Sequence, residues 1–254
     1  MPQRTAFLEI QRAQFDHVDW AHFRWQTENP VLRRTERELL VGQFFAPRRL
    51  LEVGCGEGAN LVRLFADGAI QATLSVGVDL FYRKVRFASE QVPAAAFVCA
   101  DAHALPFREG AFDAILCRDV LHHVEDPARV VAELARLCAP GGQVVFLEPN
   151  RLNPLMLCLA LLRPFERGIL KSTAGNLRAV LGARFPTLTI EYRQPFPISR
   201  LILHYQFGLA KLGYVRWVGS LLRAGEGLVA LLIPRRWWGY LCVTATTPRL
   251  SEGG

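Results

Sequence analysis

The sequence predicts a doubly wound α/β sheet, and three observations predict it. A hydrophobic run, Leu50-Leu51-Glu52-Val53, breaks into a glycine-rich turn, Gly54-Cys55-Gly56-Glu57-Gly58. Four further short apolar runs follow before residue 150, alternating with helical segments and turn signals, the order that builds a parallel sheet covered by helices. An acidic residue, Asp79, ends the second run 21 residues after Gly58, the distance a βαβ unit needs to bring a carboxylate beside a ribose.

Residues 1–46 read as a helical cap. They carry Phe15, Trp20, Phe23 and Trp25, then Glu36, Leu39, Leu40 and Phe44 in a helix feeding the first strand. After that strand, Asn60 opens an amphipathic segment with Leu61, Leu64 and Phe65 at helical spacing. Glycines at 54, 56 and 58 allow positive φ and let a ligand lie against bare amides at a helix N-terminus. Gly54, Gly56 and Ala59 also satisfy the dinucleotide pattern G-x-G-x-x-G/A, so an NAD(P)-linked oxidoreductase stays open on spacing alone. Glu52 and the tighter Gly54-x-Gly56-x-Gly58 spacing favour a ligand with an amino-acid moiety.

The second strand is Leu74–Val78, with Asp79 at its tip and Leu80 and Phe81 as an apolar wall beyond. Ala96–Ala100 is the third, running into Asp101-Ala102-His103-Ala104-Leu105-Pro106-Phe107. The fourth, Phe112–Cys117, leads into Arg118-Asp119-Val120-Leu121-His122-His123-Val124 at the end of the sheet where ligands bind. Glu125-Asp126-Pro127 starts a helix through Val130, Val131, Leu134 and Leu137, closed by Ala139-Pro140-Gly141-Gly142 before the fifth strand, Gln143–Asn150.

These five motifs in order resemble the class I S-adenosylmethionine (SAM)-dependent methyltransferases of the type 11-like group. The resemblance covers residues 50–150 well and the rest loosely. It implies a Rossmann-like seven-stranded sheet with the last strand antiparallel, and SAM as cofactor. Glu52, Gly54, Gly56 and Gly58 would hold the methionine end, with Cys55 of the same loop also at the cofactor; Asp79 would hold the ribose, and Asp101 with Ala102 the adenine, against which Leu80 is the apolar wall. The backbone around Cys117 and Arg118 would face the methionine. His122 and His123 are the general-base candidates, because a hydroxyl must lose its proton as it attacks the sulfonium methyl; one histidine of such a pair commonly points into the core instead. The implied reaction is methyl transfer, at oxygen, to a small-molecule or lipid-like acceptor. No metal ligand is assigned.

Beyond 150 the motifs thin. Leu152–Leu162 is apolar on nearly every face, which as a helix means full burial or a membrane interface. Leu188–Arg193 and Leu241–Thr247 alternate as sixth and seventh strands. Between them, about residues 195–238, lies a helical insertion with Arg216, Trp217, Arg223, Arg235, Arg236, Trp237 and Trp238, read either as a lid or as an anionic-membrane contact.

With 254 residues and 51% hydrophobic content, the chain suits one domain: cap 1–46, SAM-binding core 47–150 and C-terminal part 151–254. Its net charge of +7 is divided unequally, with −3 over residues 1–150 and +10 over 151–254. That bias suits anionic lipid or a phosphorylated isoprenoid; nucleic acid is disfavoured, since the basic residues lie among Leu and Trp and no Asn/Asp-Pro-Pro-Tyr motif follows the fourth strand. A peripheral membrane or partner-binding protein on the same scaffold is the alternative. Six cysteines without a C-x-x-C pair read as reduced core residues of a cytoplasmic protein. No signal peptide or spanning segment is expected, and the oligomeric state is not legible.

Overall fold

The computed structural model describes residues 2–40, 43–44, 47–66, 70–207 and 209–248. Three helices come first: α1 (Pro2–Phe15), α2 (Trp20–Glu28) and α3 (Pro30–Leu40). Asp19 caps α2 by accepting from His22 N, and Asn29 Oδ1 accepts from Val31 N and Leu32 N at the start of α3. The third helix turns Val31, Leu32, Leu39 and Leu40 inward together with Glu36. Phe44 lies beyond its end, so the helix is shorter than its apolar pattern.

Strands β1 (Arg49–Val53), β2 (Leu74–Asp79), β3 (Ala96–Cys99), β4 (Phe112–Arg118) and β5 (Cys138–Pro149) pair in parallel. Helices α4 (Ala59–Phe65), α5 (Tyr82–Gln91) and α6 (Pro127–Leu137) connect them. Near-continuous burial along β1, β4 and β5 reflects helices on both faces. The Pro140-Gly141-Gly142 stretch corrects the expectation of a separate turn: it lies inside β5, at the irregularity where Phe112 faces Cys138 but Ala114 faces Gln143.

The C-terminal part adds α7 (Pro154–Leu162), α8 (Ala174–Gly182), β6 (Thr187–Arg193), α9 (Ile198–Ile202), α10 (Arg216–Leu232) and β7 (Tyr240–Thr246). The sheet order is β3-β2-β1-β4-β5-β7-β6, with β7 antiparallel to both neighbours. The seven-stranded doubly wound sheet is therefore as expected. Hydrogen bonds tie the cap to the insertion: Trp25 Nε1 to Leu203 O, Asn29 Nδ2 to Ala210 O, and Tyr205 Oη to Asp19 Oδ2.

Two helices depart from simple burial. In α7, Met156 and Ala160 face the core while Leu157, Leu161 and Leu162 are exposed, so the helix is half-covered and not enclosed. In α10 the inward residues are Val218 and Gly219, whereas Trp217, Leu221, Ala224, Leu228 and Leu231 are exposed at a 4-3-4-3 spacing. That spacing makes one apolar stripe directed to solvent, with Leu231 84% exposed. No helix among the described residues is long and apolar enough to cross a membrane.

Candidate active site

The loop after β1 is fixed by backbone chemistry. Gly54 N and Cys55 N both donate to Val78 O, at 2.8 and 2.9 Å, tying the turn to β2. Gly54 has φ +73°, and a Cβ there would sit 2.3 Å from Val120 Cγ2. Gly56, at φ +52°, differs: a Cβ would meet nothing within 4 Å, because its face is open to a cavity of about 630 Å³. A ligand can lie on that bare backbone.

Asp79 closes the loop from the tip of β2. Its Oδ2 accepts from Gly56 N at 2.9 Å and its Oδ1 from Phe81 N at 3.0 Å. Burial raises its pKa against these two bonds. A carboxylate has about four lone-pair sites, so two remain for the hydroxyls of a ribose.

Of the residues singled out from sequence, Gly54, Cys55, Gly56, Asp79, Leu80, Asp101, Ala102 and Arg118 line this one cavity, together with His122 and His123. Glu52, Gly58 and Cys117 do not. Gly58 is the left-handed N-cap of α4, packed against Val92 and Ala88. Cys117 is buried within the core on β4. Glu52 sits behind the wall, fully buried, with Oε1 accepting from Asn60 Nδ2 at 2.7 Å and Oε2 without a partner. Burial pushes its carboxyl up to about 7 despite the Asn60 bond. Asp101 Oδ1 accepts from His103 N, and the His103 ring lies 2.6 Å from it.

The structure adds a charge cluster that the sequence did not disclose. Asn60 Oδ1 accepts from Arg63 Nη1 and Arg118 Nη1. Arg118 Nη2 pairs with Glu36 at 2.5 Å, and Arg200 Nε reaches the other Glu36 oxygen at 3.5 Å. Burial alone would raise the Glu36 pKa, but Arg118, Arg200 and Arg63 hold it well below the usual carboxylate range. Arg200 Nη1 donates to Tyr240 Oη at 2.7 Å, so β7 and the insertion reach the same wall. Glu36 lies on α3 and Arg200 on α9, and no local pattern links them.

The two histidines, equal in sequence, are separated by their surroundings. They stand on a 3₁₀ turn, Leu121–His123. His122 Nδ1 is 2.6 Å from Glu148 Oε2, and its Nε2 is 3.4 Å from Glu166 Oε2. Burial would lower the His122 pKa, but the two carboxylates prevail and raise it to about 10. His122 is therefore a clamped imidazolium, ill-suited to accept a proton at neutral pH. His123 is pulled the other way, to about 4, by burial and by the His122 cation. Its ring meets Phe15 edge-on at 5.1 Å and lies against the Phe165 backbone. Glu148 had a signal in sequence, a carboxylate closing an apolar strand; Glu166 had none. Asp119, between β4 and the histidine turn, takes φ +53°.

This fold and loop resemble one class of protein, the class I methyltransferase domains, whose cofactor is SAM. The glycine cradle and the remaining lone pairs of Asp79 fit that cofactor. Residues 51–146 match the family described as a methyltransferase domain. Norajmaline N-methyltransferase of Rauvolfia serpentina is 31% identical over 137 residues, 52% of this chain and 46% of that protein. A ubiquinone biosynthesis O-methyltransferase of Methylococcus capsulatus is 36% identical over 129 residues, 48% of this chain and 54% of that protein. The chain thus spans about half the length of these curated relatives. The solved plantazolicin methyltransferase BamL, in complex with a triazolic desmethylPZN analog and SAH, shares the fold with a TM-score of 0.62 at 16% identity, covering 97% of each chain. These matches give no support to the dinucleotide alternative that Ala59 left open.

Proposed function

We propose that this protein transfers the methyl group of SAM to an oxygen of a small-molecule or lipid-like acceptor. When bound, SAM supplies a methyl group already activated by its sulfonium. The loop at Gly54–Gly58, Asp79 and Asp101 with Ala102 would hold the cofactor. The protein's own work is then alignment and exclusion of water, which lowers barriers by up to roughly 7–11 kcal/mol. One observation carries the reading: a single cavity joins the glycine loop to the His122–His123 turn and to the apolar side chains Leu155, Leu159 and Ile169. A hydroxyl placed there meets the neutral His123 ring. The relatives' names include both O- and N-methyltransferases, so the acceptor atom rests on this geometry. The test is incubation with methyl-labelled SAM and paired acceptors, phenols and isoprenoid alcohols against the matching amines. Labelled ethers are expected; labelled amines alone would overturn transfer to oxygen.

A second reading is favoured by the outward stripe of α10. A Trp- and Leu-bearing face near Arg216, Arg223, Arg235 and Arg236 suits an anionic lipid surface, on which a lipid-like acceptor would be collected. Vesicles with and without anionic lipid would be sedimented with the protein. Salt-sensitive co-sedimentation with anionic vesicles is expected, and equal recovery in the supernatant from both would discard the idea.

A further inference from the structure

We propose that His122, His123 and Glu166 form a binding site for one divalent transition-metal ion of the zinc type. The candidate ligand atoms of these three residues lie within 4.8 Å of one another, and all three residues line the cavity. Two imidazoles and one carboxylate, with a fourth position open, is a donor set used by catalytic zinc sites.

Two further features show the set to be built. The first is Glu148: one oxygen lies 2.6 Å from His122 Nδ1, and the other accepts from Val120 N and Leu121 N at 3.0 and 2.8 Å. This carboxylate fixes the His122 ring and directs Nε2 toward Glu166, the outer-shell arrangement that metal-binding histidines require; the ion takes the place of the Nε2 proton, which leaves to water. The second is Gly168, on the 3₁₀ segment Pro164–Lys171 that carries Glu166. A Cβ at Gly168 would fall 1.7 Å from His122 O, so only glycine lets that segment press onto the histidine turn. The approach brings Glu166 Oε2 to 3.4 Å from His122 Nε2 and 3.8 Å from His123 Nε2, while the two rings stand with centroids 3.9 Å apart.

The site deepens the methyl-transfer reading and, for its role toward the acceptor, rests on it. An ion there offers its open position to the acceptor hydroxyl. The O–H bond breaks with its electron pair staying on oxygen and its proton passing to water, a task for which a lone buried imidazole is poorly suited. The metal affinity itself owes nothing to SAM, so the two can fail separately.

The experiment is calorimetric titration of the chelator-stripped full chain with zinc chloride, without SAM, followed by the visible spectrum of the cobalt-loaded protein. Expected are one ion per chain at micromolar or tighter affinity, and a cobalt spectrum free of the thiolate charge-transfer band that exposed Cys99 and Cys158 would produce. Glu166→Gln and His123→Ala should each weaken uptake at least about tenfold, and Glu148→Gln by about 10–100-fold. No stoichiometric uptake by the folded chain, a thiolate band, or unchanged uptake in both Glu166→Gln and His123→Ala would overturn the site. The spectrum decides even where a variant fails to fold. SAM titration of the same preparations is the separate arm: loss of SAM binding with intact metal binding refutes the cofactor assignment alone.

Discussion

At the scale of single residues, electrostatic surroundings decide what each group can do. Asp79 is placed to receive a ribose with lone pairs that the loop amides leave free, so Asp79→Ala should weaken SAM binding on the order of tenfold or more, as expected for lost hydrogen bonds to a charged group. Calorimetric titration reads this directly; near-wild-type affinity would remove the assignment. Glu36 is a different case, a buried carboxylate between Arg118 and Arg200. Glu36→Gln leaves two buried guanidinium groups without their shared counter-charge and should cost about 3–5 kcal/mol of stability, measured by denaturant unfolding. A midpoint equal to wild type would mean that the arginines find other partners.

At the scale of elements, tight approaches matter more than propensity. Gly54→Ala must place a methyl group against Val120 from a left-handed backbone, so it should lower the thermal midpoint by several degrees and reduce SAM binding, whereas Gly56→Ala should reduce binding with a smaller loss of stability, because its Cβ meets only open space. Comparing the two by thermal shift and titration separates fold from ligand contact. Every strand of the sheet was legible in the sequence, because buried parallel strands are short apolar runs and the loops at their tips carry Gly, Asp and Pro at fixed offsets. Legibility ended where function depends on distant pairing. Glu36 and Glu166 sit beside arginines of their own segments and Arg200 stands between Ser199 and Leu201, so nothing local names their partners, and only the packing of the cap and insertion onto the sheet brings those together. The half-exposed state of α7 was equally hidden, since a helix apolar on every face does not say which side the protein leaves bare. The unequal histidines teach the same lesson: adjacent in sequence, they diverge because Glu148 reaches one ring and not the other.

At the scale of the whole molecule, the histidine pair of the metal-free chain ties stability to pH with opposite signs. The folded pKa of His122 is raised from 6.5 to about 10, so its contribution is complete below the unfolded value and is lost as pH rises toward 10. His123, lowered from 6.5 to about 4, contributes above the unfolded value and loses that contribution as pH falls toward 4. The buried Glu52, raised from 4.5 to about 7, loses its contribution between those two values, before the alkaline limb begins. The thermal midpoint should therefore decline from about pH 7 to pH 9 and again below about pH 5; a flat alkaline limb in a pH series would show that His122 is not held as a cation. The sheet order carries one more consequence. Strand β7 follows β6 in the chain yet lies between β5 and β6, which has no other strand partner among the described residues. During synthesis the glycine loop and β1–β5 emerge first and can assemble, while β6 must wait, its edge bare, until Tyr240–Thr246 has left the ribosome. The nascent protein would then own a cofactor cradle before it owns the Arg200–Tyr240 wall, and a ribosome paused ahead of residue 240 would display an incomplete sheet that chaperones must shield.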